Sequence, residues 1–281
     1  MTKELNANEI KALISLLDDE DREVIMHVES QIVSMGTLVI PFLEHEWESN
    51  FNATVQKRIE DLIRALQLNH LYQKLKEWKE NEQENLLKGV FLIATYQYPD
   101  LEYKKIKKQV DQIYYDAWLS HRTYASPFEQ IRNINNVFFE KYNFVANTQN
   151  FHSPGNSMVN IVLESKKGNP ISLCIIYMLI AQKLKMPVYG VNLPNLFVLT
   201  YKSPETQFYI NIFYKGAVFS KADIDSYIQQ LNIKSETLYY EPCSNIDILQ
   251  RILRNLIMSF EKLGEKEKVN EIQKLLDILI D

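Results

Sequence analysis

Residues 156–201 read NSMVNIVLESKKGNPISLCIIYMLIAQKLKMPVYGVNLPNLFVLTY, and a change of period inside this stretch decides the fold class. A turn at Gly168-Asn169-Pro170 opens an apolar helix over about residues 171–184. The restricted backbone before Pro187 stops it. Beyond that proline the apolar spacing falls to about two residues. The segments VYGVNL, LFVLTY, QFYINIFY and AVFS follow one another, separated by Asn-Leu-Pro-Asn, Ser-Pro-Glu-Thr and Lys-Gly. This predicts an antiparallel sheet of three or four strands. A buried helix followed by a small antiparallel sheet is an α+β pattern.

Outward from this stretch the chain reads as helical. Only 7 glycines serve 281 residues, which leaves little material for phosphate-cradling loops or for an all-β fold built on tight hairpins. Gly155, Gly168, Gly190 and Gly216 cluster around the sheet, while Gly36 and Gly264 punctuate the ends. On the N-terminal side, Ile10, Leu13 and Leu17 recur at helical spacing up to the acidic run Asp18-Asp19-Glu20-Asp21. Val24, Ile25, Val28 and Ile32 resume the period as far as Gly36, a helix stop. Leu38, Ile40, Leu43 and Trp47 follow, with Pro41 near a helix start, and Val55, Ile59, Leu62 and Leu66 mark another amphipathic helix. This run resembles a HEAT-type repeat. Residues 86–99, LLKGVFLIATYQYP, predict a buried helix, and Ser126-Pro127 opens an amphipathic one through Ile131, Ile134, Val137, Phe138 and Tyr142. The last 38 residues read as a helical hairpin around Lys262-Leu263-Gly264 that resembles one tetratricopeptide-like unit. The expected organisation is a HEAT-like region over 1–85, a core over 86–234 and the hairpin over 235–281.

Composition narrows the classes of partner. With 36 acidic against 31 basic residues and a net charge of −5, no global basic field attracts nucleic acid. Lys104, Lys105, Lys107 and Lys108 alternate with apolar positions and read as the solvated face of a helix. Cys174 and Cys243 make neither a disulfide framework nor a CxxC motif, which suits a reducing compartment. The polar, acidic start MTKELNANEI is unlike a signal peptide, and no run of about 18 apolar residues is present. A cytoplasmic protein with no membrane or nucleic-acid partner is expected.

The opening stretch resembles the SirB-type transglutaminase-like family, bacterial proteins with a tetratricopeptide-like C-terminus. Asn156, Asn160, Val162, Leu163, Gly168, Pro170, Ser172, Leu173, Pro187, Gly190, Val191 and Pro194 stand at the family's places. The resemblance covers roughly residues 90–281. It implies a papain-like core: a Cys at a helix N-terminus, a His on one strand and an Asp or Asn on the next. In this chain the nucleophile position falls at Pro170, or at Ser172 if the turn carries an insertion; the His position is Leu196; the third place is Asn211. The resemblance therefore implies a degenerate triad, with two of its three roles lost.

Other side chains are candidate replacements. Cys174 lies inside the apolar helix and reads as core before nucleophile. Ser172 lacks a base and reads as a helix cap or first-turn hydroxyl. His152 precedes the helix and could approach its N-terminus, although a loop histidine is ordinarily solvated or capping. Cys243 precedes a helix capped by Ser244 or Asn245, a setting that can mildly activate a thiol, but it reads as packing or capping loop before nucleophile. His27, His45 and His70 do not converge by spacing, so no metal site and no cofactor are expected. His121 follows a helix end, where a cation suits the dipole. The expected function is a non-catalytic module whose cleft binds a protein or peptide. The alternatives are a hydrolase or acyl-transferase using Cys174 or Cys243, and a scaffold in a larger assembly.

Overall fold

The computed structural model describes residues 7–122 and 124–280. The chain forms two compact units, Met1–Lys74 and Leu75–Asp281. In the first, α1 (Ala7–Ser15), α2 (Arg22–Ser34), α3 (Ile40–Ser49) and the start of α4 (Ala53–Asn81) enclose a core of Ile10, Leu17, Val28, Ile32, Leu43 and Ile59. Asp21 caps α2 by accepting from the Glu23 backbone N–H at 2.9 Å, and Gly36 turns the chain toward α3 at a φ of 72°. Helix α4 runs unbroken for 29 residues, well past the stretch from Val55 to Leu66 that the sequence marks as amphipathic. No glycine or proline interrupts it, and its buried positions continue through Leu71, Leu75 and Trp78.

The second unit holds α5 (Leu86–Thr95), α6 (Tyr103–Ser120), α7 (Pro127–Asn135), β1 (Val145–Ala146), α8 (Val159–Ser165), β2 (Lys167–Gly168) and α9 (Pro170–Lys183). There follow β3 (Val188–Leu193), β4 (Leu196–Lys202), β5 (Gln207–Asn211), β6 (Ala217–Phe219), α10 (Lys221–Gln230), α11 (Asn245–Leu263) and α12 (Lys266–Ile280). Strands β3–β6 pair antiparallel in sequence order, with Val188 opposite Tyr201 and Leu193 opposite Leu196. The predicted helix through Tyr142 departs from α geometry at Asn136–Lys141, a π-helical turn. That wider turn buries three consecutive side chains, Val137, Phe138 and Phe139, which one face of an α-helix cannot do. No single helix among the described residues is long and apolar enough to cross a membrane.

The sheet has two distinct faces. Val191, Leu193, Val198 and Tyr209 pack with Ile224 and Ile228 of α10. Because strand side chains alternate, Gly190, Asn192, Phe197 and Leu199 point the other way, toward α9. Helix α9 is apolar almost all round, with ten of its fourteen residues buried. It packs against α6, α8, β3 and β4, and Lys183 near its C-terminal end pairs with Asp111 of α6. Helix α11 packs on α12 and also reaches α5, α9 and β3. Gly264, at a φ of 75°, ends α11 in the left-handed conformation that glycine adopts without strain.

A close approach of backbone to core side chains occurs at Gly89. A Cβ there meets Leu249 Cδ2 at 2.7 Å and Trp78 Cζ2 at 2.8 Å. The Trp78 indole is fully buried and donates to the Asn85 carbonyl at 2.9 Å, so the ring has nowhere to retreat. Gly89→Ala is expected to destabilise the protein by about 1–3 kcal/mol through overpacking, despite alanine's better helix propensity. A lower urea midpoint at unchanged m-value checks this; an unchanged or higher midpoint contradicts it.

Candidate functional site

A buried helix must satisfy its first backbone N–H groups with protein groups. For α9 the solution is Asn169, itself only 6% exposed. Its Oδ1 accepts from the Ser172 backbone N–H at 3.0 Å and its Nδ2 donates to Ser157 Oγ at 3.1 Å. Pro170 occupies the first turn, where its missing N–H costs nothing. Ser172 Oγ donates to the Asn169 carbonyl at 3.2 Å. A second amide fastens the loop in front of the helix. Asn156 Nδ2 donates to the carbonyls of Asn150 (2.7 Å) and Phe151 (2.9 Å), while its Oδ1 accepts from Asn147 Nδ2 at 2.7 Å. Phe151 and His152 are thereby held beside the end of α9.

A cavity of about 240 Å³ lies there. Pro170 and Ile171 form one side, Asn195 and Phe197 from the β3–β4 hairpin a second, and Phe151 and His152 a third. Helix α11 supplies the fourth with Arg251, Asn255, Met258 and Ser259, an i, i+4, i+7, i+8 stripe. Asn195 sits at a φ of 57° in the hairpin turn. Arg251 is half-buried, and its Nη1 donates to Asn192 Oδ1 at 3.0 Å and to the Leu193 carbonyl at 3.2 Å. Burial and the neighbouring Arg254 pull its guanidinium below the usual value. At the rim, Lys262 Nζ and His152 Nε2 are hydrogen bonded at 2.6 Å.

The triad positions do not converge on this cavity. Pro170 lines it, but Ser172 is buried behind it in the first turn of α9. Leu196 lies on the far face of the sheet, packed on the cluster that includes Ile224 and Ile228, while its neighbours Asn195 and Phe197 line the cavity. Asn211 shares the face of Tyr209, and its Oδ1 accepts from the Tyr214 backbone N–H at 3.3 Å, capping a short 3-10 turn.

Neither thiol is activated. Cys174 is fully buried, its Sγ 3.7 Å from the Phe197 carbonyl, and burial pushes its pKa far above the ordinary range. Cys243 is half-buried. Burial, and then Asp247, push this thiol up to about 12, and the end of α11 is already closed by Ser244 in a capping box with Asp247. His121 departs from expectation: burial lowers its pKa and favours the neutral ring, with Nδ1 unpartnered among the described residues. His27, His45 and His70 are exposed on α2, α3 and α4, and no cluster of three or more metal-ligating side chains forms among the described residues. His152 is the histidine that reaches the end of α9. Sequence reasoning missed Arg251, although its place between Leu249 and Ile252 on a strongly amphipathic helix marked it as a charge at the edge of an apolar face.

The family model of the transglutaminase-like superfamily matches residues 104–254, more than half of the chain. This chain belongs to that superfamily. The matched segment runs from α6 through the sheet to Arg251, so it takes in every wall of the cavity except the rest of the α11 stripe, Asn255, Met258 and Ser259. The transglutaminase-like chain is 27% identical over 184 residues to a UPF0162 protein of Xylella fastidiosa, covering 63% of this chain and 65% of that protein. It is 26% identical over 128 residues to a UPF0162 protein of Pseudomonas aeruginosa, covering 44% and 47%. It is also 26% identical over 156 residues to human F-box only protein 21, covering 53% of this chain and 24% of that one. The match spans less than two thirds of each relative's length. No solved structure matches the chain.

Two outcomes follow from the site's geometry. Iodoacetamide at pH 7 is expected to label both cysteines at least about a hundredfold more slowly than free cysteine, because so little thiolate is present, and normally once urea unfolds the chain. Fast labelling of Cys243 in the native protein contradicts its burial. Asn169→Ala is expected to cost about 1–2 kcal/mol through loss of the cap, read from the thermal or urea transition.

Proposed function

We propose that this chain is a non-catalytic transglutaminase-like protein of the SirB type whose cleft at the end of α9 binds a peptide segment of a protein partner. One observation carries the reading: the side chains that meet at the end of the helix, Pro170, Asn195, Phe197 and His152, include no thiol or hydroxyl, and the one hydroxyl elsewhere in the lining, Ser259, donates to the Asn255 carbonyl of its own helix at 2.8 Å. The His152 ring is engaged by Lys262 rather than by a hydroxyl or thiol, and both cysteines are held protonated by burial. The cleft itself is kept open. At about 240 Å³, below the roughly 300–1,000 Å³ usual for small-molecule sites, it suits one residue of a longer chain rather than a whole cofactor. In this reading the HEAT-like helices over 1–85 and the tetratricopeptide-like hairpin over 235–281 add contact surface. The setting is reducing and cytoplasmic, in keeping with two free cysteines and a net charge of −5, without a nucleic-acid or membrane partner.

A photo-crosslinking residue placed at exposed Asn195, with Glu267 on α12 as control position, tests the binding role in cells. Partners captured at position 195 and absent at 267 are expected. Equal capture at both positions overturns the cleft as the contact site. A stoichiometric acyl adduct on Ser172, Cys174 or Cys243, seen by intact-protein mass spectrometry after treatment with an activated ester, overturns the non-catalytic reading.

A further inference from the structure

The same cavity carries a charge that no described carboxylate answers. Arg251 has five N–H donors; two are used on Nη1, and both bonds go to neutral acceptors, Asn192 Oδ1 and the Leu193 carbonyl. Nε and Nη2 hydrogen bond to no described residue, and no carboxylate pairs with the guanidinium among the described residues. A half-buried cation without a counter-ion is unfavourable to the free protein. The cavity beside it contains no acidic side chain, and its other polar groups are the amides of Asn169, Asn195 and Asn255, the Ser259 hydroxyl and the His152 ring. The remaining wall, Phe151, Ile171, Phe197 and Met258, is apolar. A guanidinium fork at the edge of an apolar pocket matches an anion carried on an apolar stem, and a planar carboxylate fits that fork bidentately.

Building on the peptide-binding reading above, we infer that the cavity is a carboxylate subsite, in which Arg251 pairs with the carboxylate of one inserted peptide residue while the apolar wall holds its stem. That carboxylate is either the C-terminus of the partner chain or an acidic side chain. The bonds to Asn192 and Leu193 fix the guanidinium in place, so little ordering is left to be done when the carboxylate arrives. The Lys262–His152 pair adds basic character at the rim.

Amide NMR shifts at Asn195, Phe197 and Ser259 test this in the full-length protein. The probes are N-acetyl-trialanyl-leucine with a free carboxylate, its C-terminal amide, and N-acetyl-trialanyl-glutamate amide. At least one carboxylate-bearing peptide is expected to shift these signals, and the neutral amide to bind at least about tenfold more weakly. The peptide that binds identifies whether the chain end or the side chain is taken. Sodium phosphate is expected to leave the signals in place. Arg251→Gln is expected to reduce the carboxylate peptide to the affinity of the neutral amide. Met258, 51% exposed on the wall, provides variants whose folding is not in question: Met258→Glu weakens the carboxylate peptide and Met258→Lys tightens it. If the neutral amide binds as tightly as the acids, if Arg251→Gln and the Met258 pair change nothing, or if phosphate binds equally well, the carboxylate inference fails while peptide binding stands. If none of the three peptides moves a cavity signal, both readings fail.

Discussion

Helix α9 is surrounded by protein on every side, and that burial obliges its N-terminus to be closed by a side chain rather than by water. Asn169 does this with both ends of its amide, taking the Ser172 N–H and donating to Ser157. The remaining architecture of the site follows from that bond pair. The loop bearing Ser157 is drawn against the helix, Asn156 then holds Phe151 by its carbonyl, and the cavity forms in the space between loop, hairpin and α11. A helix whose first N–H groups were free to polarise a thiol needs a different residue at the cap. Closing the terminus with an internal amide stabilises the fold and places an amide, rather than a thiol, against the Ser172 N–H.

The positive group facing the cavity is Arg251, contributed by the C-terminal hairpin and steadied by the β3 backbone and Asn192. A hairpin that resembles a repeat unit thus does more than add surface: its α11 stripe is one wall of the cleft. The sheet contributes by alternation. Phe197 reaches the cleft because Leu196 does not, and a shift of one residue in β4 exchanges those two side chains between the cleft and the α10 core.

Much of the fold was legible in the residues. The change from helical to alternating spacing after Pro187 located the four strands, the Gly-Asn-Pro turn located the start of α9, and Gly264 located the break of the last hairpin, because each rests on local backbone chemistry. The candidate site was legible only in part. His152 could be named as a group near the helix because it lies on the adjoining loop. The stripe of Arg251, Asn255 and Met258 comes from about 80 residues further along, and no local spacing connects it with Pro170. Cys174, within an apolar run, announces its burial, and Cys243 reads as a packed or capping-loop thiol before an activated one, but its place beside Gly190 comes only from the tertiary structure.

The sequence by itself determined the order and kind of elements, the superfamily resemblance, and which residue types stand at the places where chemistry is expected, since these depend on period, turn residues and motif spacing along one chain. Only the tertiary structure decided which of those residues meet. It turned Leu196 and Asn211 to the far face of the sheet, closed the α9 terminus with Asn169, and brought the Arg251 guanidinium from α11 to the cavity. Those outcomes depend on side-chain direction across paired strands and on contacts between elements distant in sequence, and neither is written in local periodicity.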